Sequence, residues 1–535
     1  MITQTVEELL TDHVTLDVEG IDRIYLNAYQ PMLQTGGGVS AFFKGHRGAK
    51  VVSTTLMAPM SRAFVAEIEQ FAKMENIEMV RFKKGERKDT ITQQRLQQFN
   101  QSEGVLYIGK AQEKFSTFRV QKRFYEEKGC SFPWLMRSTV LCNQYYFYIV
   151  DEDFGPLFIK FSGYFPYTAR VCLNGNEYLK RQLEKEGVAY EPLDKGILSC
   201  ENPKRLQQIA NELDGTKIEQ VIRKWFARLP HPFTRQDRQA GFRYDLSILQ
   251  AEFARTQIFD RPLSGRHLFE EIIRENLDLG RPDQVSLIFN RRVTKRTPGT
   301  FRTRVITEGV DPSLHVSYKN SKIKQYFKLG RALRTETTIN NTRDFAIGRR
   351  LNNLPALREI GFKANRRLLD VQKISQNCQI GEQLFDRITQ PQTVEGQQAS
   401  ALRFGDQRAM ALFQVLCLFC IIPGGFQNAM IRQWMASLLG VPVETFTPGK
   451  MTYDLRRLRL HGLIERIPHT HRYEVTPSGI KVCLFFTKVH ARVFRSGLAQ
   501  IGDGLPEGAN RQITLAMNNL DKAIDKHIYA AKIAG

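Results

Sequence analysis

The chain has 535 residues, of which 42% are hydrophobic, and its 77 Lys and Arg exceed its 55 Asp and Glu by a net charge of +22. This length exceeds what one hydrophobic core usually serves, and the apolar fraction excludes a chain that is disordered throughout. The positive charge favours a polyanionic partner, above all nucleic acid. We find no amphipathic or anchoring helix for a membrane surface, and the acidic N-terminus MITQTVEELL lacks a secretion signal, so we expect a cytoplasmic protein.

Residues 1–200 are predicted to form a mixed α/β domain. Polar and apolar residues alternate over 13–26, as in a strand, whereas the apolar residues of 60–77 have helical spacing. Two aromatic strand segments flank the sequence Asp-Glu-Asp-Phe-Gly at 151–155, which is typical of a turn. Helical patterns dominate residues 201–280, so this second region is predicted to be helical.

A metal-dependent nuclease would need two or three carboxylates that converge on a divalent cation, with Mg²⁺ as the cofactor. The candidates are acids on predicted strands or at strand ends: Asp17, Glu19, Asp151, Asp153 and Glu336. Asp17 and Glu19 would share one strand face, as the first acids of a ribonuclease-H-like site do. A surface turn or an ion pair is the favoured explanation of each of these acids. The sequence therefore leaves catalysis open and requires no cofactor.

Residues 281–387 are predicted to form a basic nucleic-acid-binding region. Between positions 281 and 370 there are 20 Lys and Arg but seven Asp and Glu. The segment SKIKQYFKLGRALRTETTIN, residues 321–340, is typical of a strand, a Leu329-Gly330 turn and a second strand. Alternate side chains share a strand face, so three lysines and a tyrosine of the first strand lie opposite Ile323 and Phe327.

A surface that is merely solvated mixes charges of both signs, whereas this region is strongly positive. We therefore expect it to hold the backbone of a nucleic acid. The candidate contact residues of the region are Lys322, Lys324, Tyr326, Lys328, Arg331, Arg334, Arg302 and Arg304.

The polar stretch 388–400 is predicted to be a linker, followed by a domain over 401–500 and a helical tail over 501–535. The pattern of 401–500 predicts three helices and a β-hairpin. In the third helix Met451, Leu455 and Leu458 fall at i, i+4 and i+7 and would face the core. Candidate contacts on the opposite face, and at the hairpin tip, are Lys450, Thr452, Arg456, Arg457, Arg459 and Arg472.

The segment MTYDLRRLRLHGLIERIPHTHRYEVTPSGI carries a resemblance to winged-helix DNA-binding domains, which extends over roughly 405–485. The resemblance implies that the third helix enters the major groove. Some winged helices bind only proteins, which is the alternative for this domain.

Two further resemblances concern the rest of the chain. The segments DFGPLFIKFSGYFPYTARVCLNGNEYLKRQL and GRALRTETTINNTRDF resemble an uncharacterised family of large, basic, mobile-element-like bacterial proteins over most of 20–370. This resemblance implies a bacterial origin and a shared fold, but no function.

The hairpin at 321–340 distantly resembles a strand pair of filamentous-phage rolling-circle replication initiators. Those enzymes have a paired-histidine metal site. This chain has no convincing counterpart, since His469 and His471 lie in the other predicted hairpin, that of the C-terminal domain.

The predicted fold class is thus an α+β multidomain protein, with a mixed α/β N-terminal region, a basic β-containing middle and a C-terminal winged helix. Our first hypothesis for function is DNA binding of mobile-element or phage-defence type. RNA binding, with strand aromatics such as Tyr146 and Phe158 stacking on unpaired bases, is the first alternative. A nuclease or recombinase on the same scaffold is the second. The oligomeric state is left open.

Overall fold

The computed structural model describes residues 5–83, 86, 88–125, 130–279, 302–306, 313–376, 378–404, 406–420, 422, 424–489, 515, 519 and 522–523. The chain divides into two compact units. The first, which we call the sheet unit, comprises residues 8–268 and 284–366. The second, which we call the helical unit, comprises residues 1–7, 269–283 and 367–535.

The helices of the described residues are α1 (Val6–Asp12), α2 (Gly36–Ala41), α3 (Thr54–Met74), α4 (Lys88–Leu96), α5 (Gly175–Glu186), α6 (Pro203–Glu212), α7 (Gly215–Arg228), α8 (Arg235–Gln239), α9 (Pro262–Leu279), α10 (Leu354–Gln376), α11 (Glu382–Thr389), α12 (Gln407–Phe419), α13 (Asn428–Leu438), α14 (Pro448–Leu460) and α15 (Pro477–Val489). The strands are β1 (Val14–Tyr29), β2 (Met79–Arg81), β3 (Gly104–Tyr125), β4 (Cys130–Asp151), β5 (Gly155–Ser162), β6 (Ala169–Asn174), β7 (Tyr190–Leu193), β8 (Gly196–Cys200), β9 (Asp245–Phe259), β10 (Arg302–Ile306), β11 (Ser313–Tyr318), β12 (Ser321–Lys328), β13 (Ala332–Ile339), β14 (Gln392–Val394), β15 (Gln397–Ala399), β16 (Ile464–Arg466) and β17 (Tyr473–Val475).

Eleven strands form one mixed sheet in the order β10-β11-β12-β13-β9-β1-β6-β5-β4-β3-β2. Only the pairing of β2 with β3 is parallel among these neighbours. The protein is therefore mixed α and β, as predicted. All eight residues of β13 are buried, which is typical of a strand with both faces covered.

The two faces of the sheet differ in chemistry. Phe147 and Phe161 point to one face, where Phe161 contacts Phe64 of α3 and Phe226 of α7 at ring-centroid distances of 5.8 and 5.7 Å. Helices thus cover this face with an aromatic core, which accounts for the burial of both phenylalanines. Residues that alternate with them along the strands, such as Lys160 next to Phe161 on β5, point to the opposite face. We call this opposite face the basic face and define it by Arg23, Tyr25, Phe158, Lys160, Arg170, Lys322 and Lys324.

The predicted hairpin at 321–340 is present. β12 and β13 pair antiparallel, with Lys324 opposite Glu336. Three residues connect the strands, and the first two, Leu329 and Gly330, have φ angles of 50° and 66°, the left-handed values that the central residues of a type I′ turn require. The alternation along β12 is also as predicted, since Ile323 and Phe327 are buried.

The structure differs from the predicted regions at two places. The segment 201–280 contains β9, a strand of 15 residues that lies between β1 and β13, so strands from 1–200, 201–280 and 281–387 share one sheet. Polar residues on both faces of β9 interrupt its apolar residues, so its sequence lacks a regular strand pattern. The predicted linker 388–400 instead contains the hairpin of β14 and β15, in which Ala399 is buried.

Candidate nucleic-acid interface

Helix α14 of the helical unit has one buried and one exposed face. Met451, Leu455 and Leu458 are buried, as their spacing predicts. The exposed residues are Lys450, Thr452, Tyr453, Arg456 and Arg459. This face carries three cations and no acid, so it presents positive charge and hydrogen-bond donors along the helix.

Arg457 and Asp454 hold α14 in place from its buried side. Arg457 is buried, and its Nη2 donates to the carbonyl of Ala401 at 2.6 Å. Asp454 is also buried and pairs with Arg408 of α12 at 2.8 Å. Burial raises the pKa of Asp454, although the hydrogen bond from Arg408 opposes this shift. Arg457, a candidate contact in the sequence, therefore faces the interior and is not part of the exposed surface.

The exposed side chains of α14 differ in their partners. Thr452 Oγ1 accepts from Asn428 at 3.0 Å, and Lys450 Nζ donates to the carbonyl of Thr445 at 3.2 Å. The side chains of Arg456 and Arg459 make no hydrogen bond or ion pair with any other residue that the structure describes. Both guanidinium groups are thus available to an external acceptor.

The hairpin of β16 and β17 follows α14 and is joined to residues between α12 and α13. Phe426 and Tyr473 exchange two backbone hydrogen bonds of 2.8 Å each. Gly425, with a φ of 70°, is required there because a Cβ would lie 2.4 Å from the carbonyl oxygen of Tyr473. Helix, helix, helix and hairpin thus occur in the predicted order.

At the hairpin tip the two histidines and the arginine are placed differently. His469 and His471 are exposed. Arg472, a candidate contact, is half-buried and donates to the carbonyl oxygens of Gly424 and Gly425. Its guanidinium group therefore fastens the hairpin to the preceding turn.

Lys322, Lys324, Tyr326 and Lys328 share one face of β12, as predicted, and the structure shows that this face is half-buried. Lys324 Nζ lies 4.0 Å from the ring centroid of Tyr326, and burial lowers the pKa of this lysine. Lys328 forms an ion pair with Asp194 of the turn between β7 and β8. Lys322 is half-buried on the same face. This face is therefore partly covered rather than fully solvated.

Arg334 of the second strand has no exposed surface. It pairs with Asp22 at 2.9 Å and with Glu336 at 3.0 Å. Burial alone would raise the pKa of Glu336, but the charges of Arg334 and Lys195 lower it to about 2. Arg334 is thus placed as a structural cation and Glu336 as its paired carboxylate. Arg331, also a candidate contact, donates to the carbonyl of Phe259 at 3.0 Å.

Arg302 and Arg304 lie on β10, opposite Ser317 and His315 of β11. Their side chains, and all of residues 280–301 and 307–312, lie outside the described residues. The contacts given above are therefore those of the described part of the basic region.

The acids that the sequence offers for a metal site are mostly paired with cations. Asp17 and Glu19 share a strand face, as predicted, but Asp17 pairs with Arg255 at 2.7 Å and Glu19 with Arg366. Both acids line one open groove.

The strand-end acids also have partners. Asp151 is fully buried and accepts from Lys224 and from Trp225 Nε1, each at 2.8 Å. Asp153 pairs with Lys185 at 2.6 Å. In the part of the chain that the structure describes, no three His, Cys, Asp or Glu residues are arranged to hold a metal ion.

A polar cavity of about 220 Å³, which no sequence pattern indicated, borders the basic face at Lys160 and Arg170. Its cationic side chains come from four distant positions: Lys114, Arg137, Lys160 and Arg170. Residues this far apart in sequence are brought together only by strand pairing, so no local pattern indicates the cavity.

No protein-family model matches the chain, and neither the curated proteins nor the solved structures yield a match to it. Among the helices of the described residues, none is long and apolar enough to cross a membrane.

Proposed function

We propose that this protein binds nucleic acid, with DNA as the preferred partner, and that α14 is the helix that enters the major groove. The observation that carries the proposal is the exposed face of α14, on which Arg456 and Arg459 have no partner among the described residues. Arginine is the side chain best suited to guanine edges and to phosphate oxygens. On this proposal the helical unit acts as a winged helix, with the β16 and β17 hairpin as its wing.

The fixed position of α14 supports this role. A groove-reading helix must present its side chains in one orientation, because a displaced donor loses its base contact. Asp454 and Arg457 fix the orientation of α14 from its buried side, because Asp454 pairs with Arg408 and Arg457 donates to the Ala401 carbonyl. The net charge of +22 adds non-specific attraction to the DNA backbone. We extend the proposal to a role of mobile-element or phage-defence type.

The proposal is tested with the full-length protein and labelled duplex DNA of mixed sequence, by fluorescence anisotropy at several salt concentrations. The double variant Arg456→Ala and Arg459→Ala should bind more weakly, and the slope of log K against log salt should fall by about 0.9, the value for the one phosphate contact expected of Arg459. Lys481→Ala on α15 removes a charge from the same unit and is the matched control.

Two outcomes would reject the proposal. If the double variant binds duplex DNA with the affinity and salt slope of the wild type, α14 is not the interface, and a protein-binding winged helix becomes the better hypothesis. If RNA of the same length displaces the DNA at equal or lower concentration, the preference for DNA is wrong and RNA is the partner.

A further inference from the structure

The cavity that borders the basic face has an unbalanced charge. Its lining contains four cationic side chains, Lys114, Arg137, Lys160 and Arg170, and one acid, Glu113. Asn27, Gln34, Gln144 and other polar residues complete the wall. With an excess of three positive charges around about 220 Å³, the cavity favours an anion.

Glu113 is the one acid counted in this excess, and its carboxylate is already bonded within the protein. Lys160 Nζ donates to it at 2.7 Å, and Tyr146 Oη donates to its other oxygen. Burial alone would raise the pKa of Glu113, but these hydrogen bonds lower it, so the carboxylate stays ionised and offsets one cation. Lys114 and Arg170 remain exposed at the cavity.

Next to the cavity, aromatic rings cross the basic face. Strand pairing places Tyr25 opposite Cys172 and Cys172 opposite Phe158. The rings of Tyr25 and Phe158 lie edge to face, with centroids 6.4 Å apart, and both residues are half-buried. Tyr148 continues the row beyond Phe158, at a centroid distance of 5.7 Å.

The register makes the aromatic row and the cation row neighbours. Arg170 precedes Cys172 by two residues on β6, and Lys160 has the same spacing from Phe158 on β5. Side chains two apart on a strand share a face and lie about 7 Å apart. Half-buried rings therefore lie one step from a cavity that favours an anion.

We propose that this part of the basic face binds single-stranded nucleic acid, with a phosphate in the cavity and unpaired bases on Tyr25 and Phe158. Stacking of bases on aromatic side chains beside a positive groove is the way proteins hold single strands, whereas a duplex hides its base faces. The inference extends the proposed nucleic-acid binding to a second site, which is in the sheet unit and does not involve α14.

The test uses the full-length protein and a labelled single-stranded oligothymidylate, by fluorescence anisotropy. Tyr25→Ala and Phe158→Ala should each weaken binding by about 5- to 150-fold, the range for one lost base stack. Arg170→Ala should lower the salt slope by about 0.7, one phosphate contact on a single strand. The control is Phe71→Ala on α3, which removes a half-buried ring packed against Phe147 on the other face.

Circular dichroism and the milder substitutions Tyr25→Leu and Phe158→Leu separate loss of stacking from misfolding. The proposal is overturned if folded variants bind the oligonucleotide as the wild type does, or if Phe71→Ala weakens binding equally. It is also overturned if thymidine monophosphate competes as well as the oligonucleotide, because the site is then a pocket for a free nucleotide.

The variants also distinguish this site from α14. If the double variant at Arg456 and Arg459 loses no duplex binding while Tyr25→Ala loses single-strand binding, the α14 proposal fails and the sheet proposal stands. The converse result rejects only the sheet proposal.

Discussion

Arg334 and Asp22 are separated by 312 residues in the sequence and form a buried ion pair with 2.9 Å between Nη2 and Oδ2. Asp22 lies on β1 and Arg334 on β13, and both strands are neighbours of β9. The pair thus spans the centre of the sheet. Its surroundings also supply acceptors, since Arg334 Nη1 donates to Thr256 at 3.0 Å and Nε to Glu336 at 3.0 Å.

We predict that Arg334→Met destabilises the sheet unit strongly. Removal of one partner from a buried ion pair leaves the other charge uncompensated, at a cost of about 3–5 kcal/mol in the free energy of unfolding. Urea denaturation followed by circular dichroism measures this loss. Lys322→Met, at a half-buried position on β12, should cost less than about 1 kcal/mol. Equal losses in the two variants would contradict a structural role for Arg334.

We predict that His231 makes the protein less stable in mild acid. Burial, helped by the charge of Arg238, lowers the pKa of His231 to about 4, against about 6.5 in an unfolded chain. Below pH 6.5 the unfolded chain therefore takes up a proton that the folded chain excludes until about pH 4. Stability falls through this window, by about 2 kcal/mol at pH 5 from this residue.

The variant His231→Asn isolates this effect. The Nδ1 atom of His231 accepts from the backbone N–H of Phe233 at 3.1 Å, and the asparagine oxygen can accept the same bond without titrating. Between pH 7.5 and pH 5 the variant should lose about 2 kcal/mol less stability than the wild type in urea denaturation. Parallel pH profiles for both proteins would show that His231 is not the sensor.

The hairpin shows how far local sequence determines structure here. Alternation and the Leu329-Gly330 turn gave β12 and β13 correctly, because both depend on neighbouring residues. The role of Arg334 was not predictable in this way. Its partner Asp22 lies on β1, far away in the sequence. A sequence does not distinguish a buried arginine from an exposed one unless the partner of the arginine is known.

The positions of Arg457 and β9 were also not predictable, because each depends on residues that are distant in sequence. Arg457 follows Arg456 in an arginine-rich helix, and only the packing of residues 400–401 against α14 shows that one faces inward. β9 became recognisable as a central strand only through its pairing with β1 and β13. The face of α14, by contrast, follows from the spacing of Met451, Leu455 and Leu458, which sequence alone gives.

We predict that the lysines of β12 contribute unequally to nucleic-acid binding. Lys328 already pairs with Asp194, so its charge is partly neutralised before a ligand arrives. Lys322→Ala should lower the salt slope of binding by up to about 0.9, and Lys328→Ala by less. Anisotropy titrations at several salt concentrations measure both slopes. A larger effect at Lys328 would mean that a ligand displaces Asp194, and no effect at either lysine would exclude this strand from the interface.

We predict that Arg456 and Arg457, although adjacent, affect different properties. Arg457→Ala removes a buried guanidinium that bonds the Ala401 carbonyl and lies 3.6 Å from Asp454, so it should lower stability by about 1–3 kcal/mol. Its effect on sequence preference should be absent wherever the protein remains folded. Thermal unfolding of the variant and of Arg403→Ala, an exposed arginine of the same unit, measures the difference.

Arg456 is the residue that we expect to read a base. On α14 it lies one turn from Thr452 and about 60° around the helix axis from Arg459, so the three point to the same side. Arg456→Ala should relax the preference at one base pair by about 1–3 kcal/mol, whereas the loss of an arginine that contacts only phosphate weakens all sequences alike. Selection from random duplex DNA with the wild type, Arg456→Ala and Arg459→Ala distinguishes these roles. If the three proteins select the same sequences, α14 holds DNA through its charge alone and does not recognise a site.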